Sequence, residues 1–460
     1  MSKLASLLTS AGLWRLTTYA WVGAAVGGPT SVESLADPTS MFAPVGRMNA
    51  ARWVHAEIVL NDKVLVTGGS FQIAGEWFDP ATNAFTAIPA GAMNVRVYGS
   101  ATALPDGKLF LAGGTDGRID LQNTAEIFDP ATATSRMVQA RMNSSRISHT
   151  ATLVSSTKVL LSGGQGPGGV LDTAELFDLV TETFSQVATN MSARRFGHTA
   201  TLLPGDKVLI AGGYSGQSFS NTADVFDRAT GTFITVGLPM HSARYGHTAT
   251  WLPNGKVLIA GGWDGTGALA SAEIFDPATQ TFALLSNAMK ARREGHTATL
   301  LNTGYVLIAG GDSDGQTPMN AAELFNPTLE TFTSLDPDGM TMPRRLHSAA
   351  RLQDGRVLLT GGYVNWQPID TAEVFDCSAE FGTLSTNITE EAAGPNGTNI
   401  IVVRWPASAN DWVLQESGSM GDGTWVNSTR PTEVVGAQNR ITVPLAEGPR
   451  FFRLVRRVGP

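Results

Sequence analysis

The chain has 460 residues, 50 of them Gly, with a net charge of −8, a pI near 5.4 and a single cysteine. That acidity excludes the basic footprint of a nucleic-acid binder. The lone Cys377 excludes an internal disulfide framework and a cysteine-built metal site.

Residues 1–34 form a leader. Lys3 and Arg15, the mildly apolar stretch 17–26 and the small residues that follow read either as a secretory signal peptide or as an unstructured segment. Beyond the leader, no apolar run approaches the roughly 20 residues that a bilayer span requires.

From Met48 onward the chain repeats. Gly-Gly pairs begin at Gly68, Gly113, Gly163, Gly212, Gly261, Gly310 and Gly361. A Met stands seven residues before a His at Met48, Met142, Met191, Met240, Met289 and Met340. The second copy keeps Met93 and shows Ser100 where the His is expected. An acidic residue two before a Phe recurs from Glu76 and Phe78 to Glu373 and Phe375. Within a copy, HTATWLP alternates, Asn254-Gly255 turns, KVLIAGG reads as a doubly buried strand, and Pro277 ends the strand AEIFDP. A fourth strand opens at Thr281-Phe282. Four short strands at a period near fifty predict one propeller blade per copy.

Gly-Gly after an apolar strand, an aromatic-Asp-Pro turn, an aromatic in the last strand and Met-x-x-x-Arg-x-x-His resemble the kelch repeat. Phe replaces that family's usual Tyr and Trp. The resemblance covers about residues 39–377. It implies an all-β, seven-bladed kelch-type β-propeller, similar to the central domain of galactose oxidase. The propeller is expected over 35–380. An open ring exposes unpaired edges, and two segments compete to supply the last outer strand: the one around Phe42, which is preferred, and the one around Phe381. Residues 381–460 read as a linker and a small C-terminal β-sandwich-like domain, loosely immunoglobulin- or fibronectin-III-like, with strands near Ile400, Trp412, Trp425, Arg440 and Arg450.

Blade topology selects a face. The a–b and c–d turns are short and regular. The b–c loops vary, and variable loops on a rigid scaffold carry function. The candidate ligand-binding residues on the face shared by b–c loops and d–a connections are Phe71, Asp116, Arg118, Tyr214, Phe219, Trp263, Asp264, Asp314, Tyr363 and Trp366. Asp116, Asp120, Asp172, Asp264 and Asp314 are the carboxylates that could meet across the mouth. The d–a connections also bring a repeated Arg, as Arg244 and its counterparts. Such a ring could clamp carboxylates, but its recurrence in every copy favours pairing with the repeated Glu and locking of neighbouring blades. The repeated His favours a hydrogen bond between blades over metal ligation.

Copper-radical chemistry of the galactose oxidase kind requires a Tyr–Cys cross-link and a Tyr beside a His ligand. No Tyr-His dipeptide occurs, and Cys377 ends a third strand on the opposite face. No cofactor and no metal site are therefore expected. The reading is a non-catalytic, monomeric binding protein for a protein or glycan ligand, extracellular or in the cell envelope, with a cytoplasmic setting as alternative. A carbohydrate-active enzyme on the same fold is the competing function.

Overall fold

The computed structural model describes residues 41–377, except 61, 70–73, 117–119 and 336–338, and beyond them chiefly the strands between 390 and 456. The leader, Phe71, Arg118 and the Phe381 segment lie outside the described residues. Among the described residues every regular element is a β-strand, and no helix is long and apolar enough to cross a membrane.

Residues 42–376 form one compact unit, a seven-bladed propeller. The blades span 56–87, 100–137, 150–186, 199–235, 248–284, 297–334 and 348–375, numbered one to seven. Each is a four-stranded antiparallel meander. Blade five runs Thr248–Trp251, Val257–Ala260, Ala272–Asp276 and Thr281–Leu284. Its second strand is buried throughout because a neighbouring blade covers each face, which explains the unbroken apolar run. The core lies in layers between blades. One such layer joins Leu209, Val225 and Met240 of blade four to Ile259, Phe275 and Phe282 of blade five. The repeated Met side chains are packing residues of these layers, as Met142, Met240 and Met340 show at 1–2% exposure.

The last blade takes its outer strand from the other end of the chain. Phe42–Pro44 pairs antiparallel with Ala372–Phe375, with Phe42 opposite Phe375. The two rings are 5.0 Å apart. Phe282 meets Phe275 at 4.9 Å in blade five, so Phe42 stands in for the ordinary outer-strand Phe. Burying such a ring stabilises by about 2–3 kcal/mol, which offsets part of the cost of ordering the short segment.

The repeated polar residues are construction. Arg244 is fully buried. Its Nη1 donates to the carbonyls of Gly261 (2.8 Å) and Ser271 (2.9 Å), and its Nη2 to Glu273 (2.8 Å). All of these partners belong to its own blade. The ion pair therefore does not span blades, contrary to the expectation. The link between blades runs through the backbone of the same residue, whose carbonyl accepts from Gly213 of the preceding blade at 2.7 Å. No ring of Arg lines the mouth: five of the other repeated Arg side chains are fully buried and Arg96 is 7% exposed.

The histidines do join blades. His247 Nε2 meets Thr199 Oγ1 at 3.0 Å and His296 meets Thr248 at 3.0 Å, each on the preceding inner strand. Burial holds His247 near a pKa of about 3, so it stays neutral. The Gly-Gly pairs make room for this. A Cβ on Gly163, at φ +60°, would stand 2.7 Å from His198 Cε1. The second blade corrects the alignment. Ser100 pairs with Ala112 just as Thr150 pairs with Ser162, so Ser100 occupies the Thr position. Gly99 is the residue in the His place, because the connection from Met93 to Arg96 is one residue shorter.

In the second unit, strands 390–391, 400–406, 438–444 and 433–435 form one antiparallel sheet in that order. Strands 426–427, 412–417 and 451–456 form another.

Candidate functional site

The residue after each repeated Arg points the chain at the mouth. These residues are Trp53, Val97, Ile147, Phe196, Tyr245, Glu294 and Arg345. Six of them form a bridge with a residue just after a Gly-Gly pair: Val97 with Thr115, Ile147 with Gln165, Phe196 with Tyr214, Tyr245 with Trp263, Glu294 with Asp312 and Arg345 with Tyr363. The backbone repeats and the side chains do not.

The next position forms the innermost turn. Val54, Tyr98, Ser148, Gly197, Gly246, Gly295 and Leu346 all have φ between +49° and +62°. Five amides in this ring donate to carbonyls of the preceding blade, such as Gly295 to Gly246 at 3.1 Å and Leu346 to Gly295 at 2.7 Å. Where this position is Gly, the next blade's side chain lies over it. Tyr245 covers Gly197, and Glu294 approaches Gly246 so closely that a Cβ there would stand 3.3 Å from its Oε2.

Two aromatic clusters flank the mouth. On blades four and five, Tyr214 meets Phe219 at 4.7 Å, and Phe196 meets Tyr245 at 5.6 Å. On blades seven, one and two, Trp53 meets Tyr363 at 5.0 Å and Tyr98 at 5.6 Å. Trp366 stands at the tip of a hairpin between Tyr363–Val364 and Gln367–Pro368. Its φ is +63°, a conformation that favours Gly, and it is 62% exposed. An exposed Trp held in strained backbone is the kind of outlier that points to function.

Between the clusters lies a polar strip. Arg345 Nη1 donates to Asp312 at 2.9 Å and to the Gly315 carbonyl at 2.6 Å. The guanidinium also lies 5.8 Å from the Tyr363 ring and 5.7 Å from the Trp366 ring. Burial, then the charge of Asp312, pushes Glu294 up to about 7, while Arg345 opposes. Burial raises the Tyr245 phenol, followed by Glu294 and Tyr98, and raises Tyr98, followed by Tyr363. These four groups therefore lie within electrostatic reach of one another in a chain from blade six to blade seven. Among the described residues, none of the phenols of Tyr98, Tyr245 and Tyr363 nor the Glu294 carboxyl has a hydrogen-bond partner, and none of their oxygens is sealed from solvent.

The residues chosen from sequence fall into three groups. Tyr363 and Trp366 belong to the mouth on one side. Tyr214 and Phe219 belong to the opposite cluster, and Trp263 is half-buried in the bridge with Tyr245. Asp264 and Asp314 shape their own loops: Asp264 Oδ1 accepts from the Thr266 amide at 2.7 Å, and Asp314 Oδ1 from the Thr317 amide at 2.7 Å. Asp116 is exposed on the rim, and Asp172 lies 4.0 Å from Arg194. Sequence reasoning missed Trp53, Tyr98, Tyr245, Glu294 and Arg345. For Trp53, Tyr245, Glu294 and Arg345 the available signal was a fixed position, next to the repeated Arg, whose residue never repeats; Tyr98 stands one residue further on, at the innermost turn.

Comparison with known proteins places this architecture. The KLHDC2/KLHL20/DRC7 Kelch-repeats domain matches residues 148–362, and the Kelch motif matches residues 96–139. No curated protein matches the chain. Among solved structures, 666 chains match, so likeness by itself selects no activity. One is a novel fungal alcohol oxidase with catalytic diversity among the AA5 family, in complex with copper. It has a TM-score of 0.62 and 16% identity, covering 91% of this chain and 93% of that one, and shows a shared fold alone. Among the described residues the histidines do not present a copper site. The repeated His side chains spend Nε2 on neighbouring blades, and His241 is bonded to Glu273 at 3.1 Å. Among the described residues no three His, Cys, Asp or Glu side chains gather as ligands.

Proposed function

We propose that this chain, a kelch-repeat β-propeller, is a non-catalytic binding protein that takes its ligand at the mouth shared by the b–c loops and d–a connections. One observation carries the reading: four polar tips, on Tyr98, Tyr245, Glu294 and Tyr363, converge without protein partners inside a ring of otherwise repeated backbone. Their oxygens face solvent rather than protein, so a ligand can take the place of the water they meet without breaking any bond of the fold.

The chemistry favours a neutral glycan. Phenols and a protonated carboxyl each donate and accept, as a sugar hydroxyl does. The charges of Arg345 and Asp312 neutralise each other. Trp366 and Tyr363 offer flat faces for a sugar ring. A protein ligand is the alternative within the same reading, and an extracellular or cell-envelope setting suits either. An enzyme is disfavoured by Asp312, whose carboxylate is occupied by Arg345 and by the Gly315 amide and is not free to act beside Glu294.

A neutral-oligosaccharide array is the direct test. Binding that drops at least about tenfold in Trp366→Ala supports the reading, since aromatic stacking at a hot spot is worth roughly 1–3 kcal/mol. A silent array points to a protein partner. Binding indifferent to Trp366→Ala and Tyr363→Ala moves the site off this face.

A further inference from the structure

We propose that ligand capture at the mouth is coupled to proton uptake at Glu294. The inference rests on the mouth being a ligand site and concerns how that site is regulated.

Glu294 is the one carboxylic residue among the seven positions that follow the repeated Arg. It leans inward over Gly246, into the innermost ring of the mouth. Its cross-strand neighbour is a second carboxylic residue. Glu294 and Asp312 exchange both backbone hydrogen bonds, at 2.9 and 3.0 Å, and like charges placed directly opposite destabilise each other. Asp312 is committed to Arg345 and to the Gly315 amide. Glu294 has no such commitment.

The groups facing Glu294 come from three blades. Tyr245 stands on blade five, Asp312 on the b–c loop of blade six, and Arg345 on the connection entering blade seven. Leu346, on that same connection, covers Gly295 beside it. Arg345 alone favours the charged form, and its guanidinium is already bound to Asp312 and lies against two aromatic rings.

A ligand that fills the mouth removes water from Glu294. Loss of water disfavours the charged carboxylate and leaves the field of Asp312 less screened. The occupied mouth therefore holds the proton more tightly than the empty one, and by linkage it binds more tightly when the proton is present. With the empty-mouth carboxyl held at about 7, the change falls within the physiological range. The ring histidines do not contribute there, because burial keeps them neutral, as for His149 and His247 near about 3.

The test uses the full chain and the oligosaccharide that binds best on the neutral array at about pH 5.5. Calorimetric Kd values are measured between about pH 5.5 and 8.5 for the wild type, Glu294→Gln, Glu294→Ala and His241→Gln. The wild-type Kd should rise by about tenfold or more across the range. Glu294→Gln keeps the shape and a donor, so its Kd should stay nearly flat. Glu294→Ala should also be flat and weaker. His241→Gln should follow the wild type, since His241 pairs with Glu273. Titrations in buffers of different ionisation enthalpy should report proton uptake in the wild type and none in Glu294→Gln. Parallel pH profiles in the wild type and Glu294→Gln overturn the coupling and leave the binding site standing. An array silent at both ends of the range overturns the glycan site and the coupling together.

Discussion

Arg244 and Tyr245 are neighbours in the chain, and their side chains meet opposite conditions. Arg244 is fully buried, with its Nη1 and Nη2 donating to its own blade. Tyr245 reaches the mouth, and its phenol has no protein partner among the described residues. The same contrast holds for Arg293 beside Glu294, whereas Arg345, beside Arg344, is itself buried and bonded to Asp312 across to the neighbouring loop. Construction and recognition are thus separated by a single residue. A rigid backbone fixes both positions, and only the first must repeat for the ring to close.

Breaking the construction side should have the largest effect. Arg244→Ala leaves the Glu273 carboxylate buried without its cation, and removing one partner of such a pair costs about 3–5 kcal/mol. Thermal unfolding measures this, and a near-native melting temperature would show that the pair is dispensable. Closure comes next. Phe42→Ala and Phe282→Ala should each cost about 3–4 kcal/mol. Equal losses support Phe42 as a full replacement for the ordinary outer-strand Phe, whereas a negligible loss at Phe42 alone would sink the closure by the N-terminal strand.

The seam between blades seven and one carries a third, pH-dependent term. Glu57 occupies an inner-strand position that is Ala in the other six blades, from Ala101 to Ala349. Its side chain is 1% exposed, it accepts from Thr360, and its other oxygen has no partner. Burial pushes it up to about 8, with Thr360 and Arg344 opposing. A carboxyl raised above its unfolded value of about 4.5 contributes stability that is present at low pH and lost as pH rises through about 8. Glu57→Ala should flatten that decline, with a gain on the order of 2 kcal/mol at about pH 9. Unfolding curves for both proteins at about pH 5 and 9 decide it, and parallel slopes would remove Glu57 as the cause.

The smallest effect belongs to the mouth. Tyr245→Phe should change stability by no more than about 0.5 kcal/mol, because no protein hydrogen bond is lost. It should weaken oligosaccharide binding about fivefold, the worth of one neutral hydrogen bond. A large stability loss with unchanged binding would place Tyr245 with the construction residues.

How much of this was legible in sequence depended on repetition. Three markers in phase revealed the blades, and the reading of Arg and His as construction followed from their recurrence. Sequence could not say that the Arg–Glu pair stays within one blade, because covalent spacing does not report which strand a side chain faces. It misaligned Ser100, since a one-residue deletion between Met93 and Arg96 shifts every count made from the Met. It also directed attention to the b–c loops, where Asp264 and Asp314 turn back on their own amides. The mouth is built equally from the d–a connections, where Tyr98, Tyr245 and Glu294 stand.

By itself, then, the sequence determined the number of blades and the strands within each, and it left two segments competing to close the ring, of which the strand pairing selects Phe42. Local periodicity and turn chemistry encode the blades and their strands, and each copy states them again. Only the tertiary structure decided which side chains converge at the mouth. Glu294, Asp312, Arg345, Tyr363 and Tyr98 come from blades far apart in the chain, and the ring alone brings them within reach of one another.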